Sequence, residues 1–197
     1  MSVPAQTRRR GEQLRSAIFD AVIDQLGEVG YGRLSMEGVA AAAQTGKAAL
    51  YRRWDSKEAL VREALQELLP LPPEIADGTD LRTGLITLLS YFNSALFDSK
   101  GAAFQAVAAE SGTDVTVLRE IFHTRVTAPC QEHITELVHR HIASSGTTPN
   151  HRFRDDMFAT VGPAMLMYHC LNGQDKSTDS QIESVVDNVL LPLIQVS

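Results

Sequence analysis

Ser35–Trp54, SMEGVAAAAQTGKAALYRRW, is the stretch whose reading decides the fold. Met36, Val39, Ala40 and Ala43 fall at i, i+3, i+4 and i+7, which gives one apolar face on a short helix. Gln44-Thr45-Gly46 interrupts that helix, and Gly46 tolerates backbone conformations that other residues resist. Lys47 to Trp54 resumes, with Leu50 and Trp54 four apart and facing one way. Lys47, Ala48, Ala49, Tyr51, Arg52 and Arg53 are left for the other faces. Two short helices around a tight turn make the layout of a helix-turn-helix, whose second helix enters the major groove of DNA.

The side chains suit that chemistry. Ala48 and Ala49 let the helix backbone come close to base edges, and an alanine methyl touches a thymine methyl. Lys47 and Arg52 are cations with the reach for phosphates or for guanine. Tyr51 offers a hydroxyl to a phosphate. Ser35 opens the first helix, where its hydroxyl serves a backbone N–H as a cap or serves a phosphate, capping being the first expectation. An ordinary helical hairpin with a solvated basic face fits the same periodicity, so spacing alone leaves both readings open.

LYRRW at 50–54 and SKEAL at 56–60 resemble the DNA-binding domain of the TetR family of bacterial transcriptional regulators. The resemblance runs from about Arg10 to Leu69. It takes in the long first helix, the Gly30-Tyr31 stop, the small-residue second helix, Leu50-Tyr51, Trp54 and Ser56-Lys57-Glu58. It implies a phosphate contact from Lys57. The DNA-contacting set expected here is therefore Ser35, Thr45, Lys47, Ala48, Ala49, Tyr51, Arg52 and Lys57. The turn departs from the family pattern of glycine, apolar residue, serine. Gln44 must then take a left-handed conformation, which costs a non-glycine residue about 1 kcal/mol or more. Gly46 is a weak helix cap, with Thr45 as its substitute, and Ala42 stands where the family often has a basic residue.

The remaining chain reads outward from this motif. Met1 to Thr7 reads as disordered, and Arg8-Arg9-Arg10 as a basic arm for a minor groove or phosphates, or simply a solvated tail. A first helix is expected over about Glu12–Val29, with Leu14, Ala17, Ile18, Ala21, Val22 and Leu26 as its buried stripe and a left-handed stop at Gly30 or Gly32. Tyr31 and Leu34 are expected to plug its core. Asp55 is expected to cap a fourth helix that ends at Pro70-Leu71-Pro72-Pro73. Beyond the prolines lie helices over Leu81–Phe97 (capped by Asp80), Ala102–Glu110, about Asp114–Ala143 with a kink or a split at Pro129, Asp155–Leu171 and Asp179–Ile194.

The expected fold class is thus all-α. A three-helix DNA-binding domain occupies 10–69, its helix-turn-helix at 35–54, and a helical effector-binding and dimerisation domain occupies 74–197. Length allows it, since 197 residues hold one medium domain or two small ones. Net charge is −6, yet residues 1–64 carry ten Lys/Arg against eight Asp/Glu, and the rest eight against sixteen. A mildly basic head on an acidic body fits a DNA-binding module joined to a part that does not touch DNA.

No membrane role is expected: the longest largely apolar run, Phe158–Tyr168, is far short of the ~18–20 residues needed to span a bilayer. Cys130 and Cys170, with no signal-peptide pattern ahead of them, point to free thiols in a reducing cytoplasm. His133, His139, His141 and Glu136 look like ligands, but only Glu136 and His139 share a helix face, so neither a metal nor a cofactor is expected. His169 beside Cys170 reads as a core histidine before a pocket residue. No nucleophile elbow, zinc-protease helix or dinucleotide loop is present, so no enzyme activity is expected.

The TetR resemblance implies a repressor binding a palindromic operator in double-stranded DNA as a homodimer, released by an unknown small-molecule effector. The TetR resemblance implies dimerisation through the last two helices. Their apolar positions, Val161, Ala164, Met165, Tyr168 and Leu171 on one and Ile182, Val185, Val186, Val189, Leu190 and Ile194 on the other, fit that role or a purely internal one. Phe92, Phe104, Phe122, Met157, Met165 and Tyr168 are the candidates to line an apolar effector pocket, or plain core. The rival reading is a helical small-molecule-binding or interaction protein that does not bind DNA.

Overall fold

The computed structural model describes residues 5–98, 115–146 and 155–194, and among them the only regular structure is helical. Contacts divide the described residues into two compact units, one within 1–69 and 99–122, the other within 70–98 and 123–197.

In the first unit, helix α1 spans Ala5–Arg33, α2 Met36–Ala42, α3 Lys47–Tyr51, α4 Lys57–Leu68 and α6 Val115–Phe122. The expected N-terminal arm is not an arm: the backbone is helical from Ala5, so Arg8-Arg9-Arg10 belong to α1. Arginine is a good helix former, and neither glycine nor proline falls between Ala5 and Arg10. Gly30 breaks the helix with φ 76° and ψ 168°, a conformation only glycine adopts without strain.

The buried face of α1 is wider than the expected stripe. Ile18, Phe19, Ala21, Val22, Ile23 and Leu26 are buried, while Ala17 is exposed and Leu14 only half-buried. Packing against both α2 and α4 recruits Phe19 and Ile23, which a one-stripe reading leaves out. Leu34 is buried as expected. The cap of α4 is Ser56 rather than Asp55, its Oγ accepting the Ala59 N–H at 3.1 Å. Helix α6 packs on α4.

The second unit is built around α5, Leu81–Phe97, which packs against α7 (Ala128–Ser145), α8 (Asp155–Leu171) and the C-terminal segment. Asp80 caps α5 as expected, accepting the Thr83 N–H at 3.0 Å. Leu85, Leu88, Leu89, Phe92 and Leu96 are buried on it, opposite Cys130, Ile134 and Leu137 of α7 and Phe158 and Leu166 of α8. Gly84 makes the α5–α7 approach close: a Cβ there would lie 2.4 Å from Leu137 Cδ2.

The kink expected at Pro129 appears upstream of it. A π-helical turn, His123–Thr127, leads into α7, with Pro129 in the first turn of that helix. The last helix behaves alike: α9, Asp179–Val185, opens into a π turn at Val186–Leu190 before α10, Leu191–Ile194, which contains Pro192. A proline ring has no N–H to donate and crowds the carbonyl four residues back, and the wider turn makes room for it.

Polar contacts fix the last segment. Buried Asn93 donates to the Ser177 carbonyl at 2.8 Å, ahead of a capping box between Thr178 and Gln181. Arg82 grips Asp187 through two hydrogen bonds at 2.7 and 2.8 Å. The proline-rich segment is held by Tyr91, whose hydroxyl donates to the Pro70 carbonyl at 2.9 Å. The expected helix over 102–110 lies outside the described residues.

Candidate nucleic-acid interface

Helix α2 begins at Ser35, which caps it by accepting the Gly38 N–H at 3.1 Å. This leaves the hydroxyl proton of Ser35 to donate elsewhere. Met36, Val39 and Ala40 bury α2 against α1. In the turn, the Thr45 N–H donates to the Ala40 carbonyl at 2.9 Å, and Gln44 takes φ 51°. Gln44 therefore adopts the left-handed conformation that the departure from the glycine-bearing pattern demands. Helix α3 starts at Gly46 with no side-chain cap, so Thr45 does not substitute for the missing serine.

Leu50 and Trp54 anchor α3. Both are buried, and Trp54 donates its indole N–H to Glu63 at 2.8 Å with its ring 5.8 Å from that of Phe19. Hydrogen bonds from Arg53 and Trp54 to the Leu50 carbonyl carry the turn past Tyr51. What the anchors leave outside is Lys47, Ala48, Tyr51, Arg52 and Arg53, with Thr45 and Ala49 half-buried. Tyr51, at 44% exposure, is a large ring with no burial reason to be there.

The two lysines of the expected set are already engaged. Lys47 is hydrogen-bonded to the Glu37 carboxylate, and its Nζ lies 5.4 Å from the centre of the Tyr51 ring. The hydrogen bond from Lys47 holds Glu37 below its usual carboxylate range, and Glu37 in turn raises Lys47. Lys57 donates to the Tyr31 carbonyl at 2.9 Å and sits 4.2 Å from the Tyr31 ring centre. Tyr31, expected only as a core plug, thus organises two side chains, since its hydroxyl also donates to Glu58 at 3.2 Å. An ammonium has three donors, so each lysine keeps hydrogens for a phosphate. Glu37 and Tyr31 were not among the expected site residues. Each pairs across a long sequence gap, beyond the reach of helix-spacing rules.

The expected effector pocket fares differently. Phe92 is fully buried in the second unit, Phe122 is buried in the first, and Phe104 lies outside the described residues. Met157, Met165 and Tyr168 are 61%, 39% and 72% exposed. The reason is geometric: they share the face of α8 opposite Phe158, Leu166 and Cys170, which face the core. An open groove of about 470 Å³ between α7 and α8 is lined by Gln131, Glu132, Thr135, Glu136 and Thr160 with two alanines, and by none of the six. His169 contacts the Asp175 carbonyl at 3.0 Å and tethers its own loop.

A short helix held by two buried anchors on a three-helix core, with cations and small residues outward, defines a helix-turn-helix protein of the DNA-binding class. Residues 18–64 match the family model for bacterial regulatory proteins of the tetR family, and residues 75–189 match the tetracyclin repressor-like C-terminal domain. A DNA-binding transcriptional repressor TetR from Mycobacteroides abscessus is 27% identical over 203 residues, covering 94% of this chain and 96% of its own. An uncharacterised HTH-type regulator of Bacillus subtilis, YdeS, is 23% identical over 185 residues, covering 92% and 90%. The fold resembles that of Salmonella enterica GusR, with a TM-score of 0.68 at 18% identity over 93% of this chain and 96% of that one. The chain belongs to the TetR family of bacterial regulatory proteins and is a DNA-binding transcriptional regulator, not an enzyme. Among the described residues no helix is long and apolar enough to cross a membrane.

Proposed function

We propose that the protein is a cytoplasmic repressor that binds a palindromic operator as a homodimer and leaves it when a small molecule binds. In this reading residues 10–69 form the DNA-binding domain and residues 74–197 the effector-binding and dimerisation domain. Helix α3 lies in the major groove. Ala48 and Ala49 meet base edges, Lys47 and Arg52 meet phosphate or guanine, and Ser35, Thr45, Tyr51 and Lys57 hold the backbone. The observation that carries the reading is the outward face of α3, cationic and small-residued, on a helix pinned by Leu50 and Trp54.

One short recognition helix reads only a few base pairs, so tight specific binding requires two, related by a twofold axis. Support for the pairing comes from α8, where Tyr168 and Leu171 are 72% and 77% exposed in line with Met157 and Met165. A contiguous apolar stripe of this kind marks a protein interface. Release requires an effector that favours a subunit arrangement in which the two α3 helices no longer match successive grooves.

The test is a mobility shift with the full chain and the DNA upstream of its own gene. Tyr51→Ala and Lys57→Ala are expected to weaken binding to all sequences alike, by roughly 1 kcal/mol each as lost phosphate contacts. Relaxed preference at a single base pair would overturn their phosphate roles. A folded protein that binds no DNA at low salt would overturn the whole reading.

A further inference from the structure

We propose that Glu37 sets how tightly this regulator holds DNA, by competing with the phosphate backbone for the ammonium of Lys47. The inference deepens the DNA-binding reading of α3 and rests on it.

Glu37 stands in the first turn of α2 and Lys47 in the first turn of α3. Their hydrogen bond therefore spans the helix-turn-helix from one helix start to the other. Both ends are fixed in place. The first turn of α2 is set by the Ser35–Gly38 cap, and α3 is anchored by Leu50 and Trp54. The pair itself is open to solvent, the side chains being 54% and 56% exposed for Lys47 and Glu37. Little packing depends on it, so its consequences fall on what approaches from outside.

A phosphate arriving at Lys47 meets a cation whose charge is already balanced by a carboxylate beside it. Neutralising a phosphate with a free cation releases condensed counterions and adds to affinity, whereas a compensated ion pair adds little. Either Lys47 shares its ammonium between the phosphate and Glu37, holding two anions close together, or it leaves Glu37 as an unpaired anion near the DNA backbone. Lys57 makes the informative contrast: it hydrogen-bonds a neutral carbonyl and sits against an aromatic ring, and the adjacent Glu58 carboxylate acts on it only through space. The two lysines thus differ in degree, one hydrogen-bonded to a carboxylate and the other to a backbone carbonyl.

Glu37 is held below its usual carboxylate range by the Lys47 hydrogen bond, so it stays ionised at neutral pH and the competition operates there.

The experiment is fluorescence anisotropy of the full chain against its own upstream duplex and a scrambled duplex of equal length, across a salt series. Four proteins are compared: wild type, Glu37→Gln, Lys47→Gln and the double variant, each checked for folding by circular dichroism. Glu37→Gln is expected to tighten binding to both duplexes roughly three- to ten-fold at about 0.1 M salt, and to steepen the log K against log salt slope by about 0.9 per recognition helix. In the Lys47→Gln background the same change is expected to gain clearly less, about two-fold, since with the contested cation gone only the through-space repulsion between Glu37 and the backbone is relieved. A similar gain in both backgrounds overturns the proposal, because Glu37 would then act as a general negative charge. Unchanged or weaker binding by Glu37→Gln, with wild type binding well, also overturns it and leaves the DNA-binding reading intact. Wild type that binds neither duplex while folded removes that reading, and the proposal with it.

Discussion

Among the described residues Gln44 alone of the non-glycines has a positive φ, 51°, and it sits in the turn of the helix-turn-helix. A side chain in that region costs about 1–2 kcal/mol, and glycine there loses part of the gain to its extra freedom in the unfolded chain, about 0.5–1 kcal/mol. The difference favours glycine slightly. Gln44→Gly is expected to raise the melting temperature by about 1–2 °C, and Gln44→Val, β-branched and ill suited to positive φ, to lower it by several degrees. Thermal melts followed by circular dichroism check both, and a fall for Gln44→Gly would mean that the side chain is doing something the backbone argument omits. The strain was legible in the sequence because a known turn pattern was violated at a known place. The engagement of Lys47 and Lys57 was not legible, because their partners lie ten and twenty-six residues away and only the folded helix-turn-helix brings them together.

Elements were legible where local chemistry alone sets their ends. Asp80 caps α5, Gly30 breaks α1, and the proline run follows α4, each for a reason contained in a few residues. Elements were misread where packing or backbone adjustment decides. Phe19 packs on Trp54, thirty-five residues further on, and the π turn at His123–Thr127 begins six residues ahead of Pro129, beyond the proline's own position. Gly84 offers a test at this scale, because two effects oppose each other there. Alanine would improve helix propensity by about 1 kcal/mol, but its Cβ would meet Leu137 Cδ2 at 2.4 Å in a fully packed core, and overpacking costs about 1–3 kcal/mol. Gly84→Ala is therefore expected to lower the melting temperature by about 2–6 °C, and to lower it by less when added to Leu137→Ala, which opens the space, and compared with that variant alone. A rise in the single variant would show that the α5–α7 approach yields easily.

For the whole molecule, the division of labour between the last two helices is what folding adds to sequence. Both read as apolar, yet Ile182, Val186, Leu190 and Ile194 are buried in their own unit while Met157, Met165, Tyr168 and Leu171 are left outside. Apolar content cannot separate these roles, since it does not say which face of α8 the core uses. The family was legible from a third of the chain, whereas the six pocket candidates could not be told from core, because aromatic and methionine residues in helices look alike whether they are buried, as Phe92 is, or exposed, as Tyr168 is. The central claim is that two α3 helices, related by pairing along α8, read DNA together. Hydroxyl-radical footprinting of the full chain on its own upstream DNA tests it most directly. The expected result is two protected patches related by a twofold axis, with centres one helical turn or a multiple of it apart, both lost at the same protein concentration in Tyr168→Asp. A single unsymmetrical patch, or paired patches that survive Tyr168→Asp unchanged, would contradict the account.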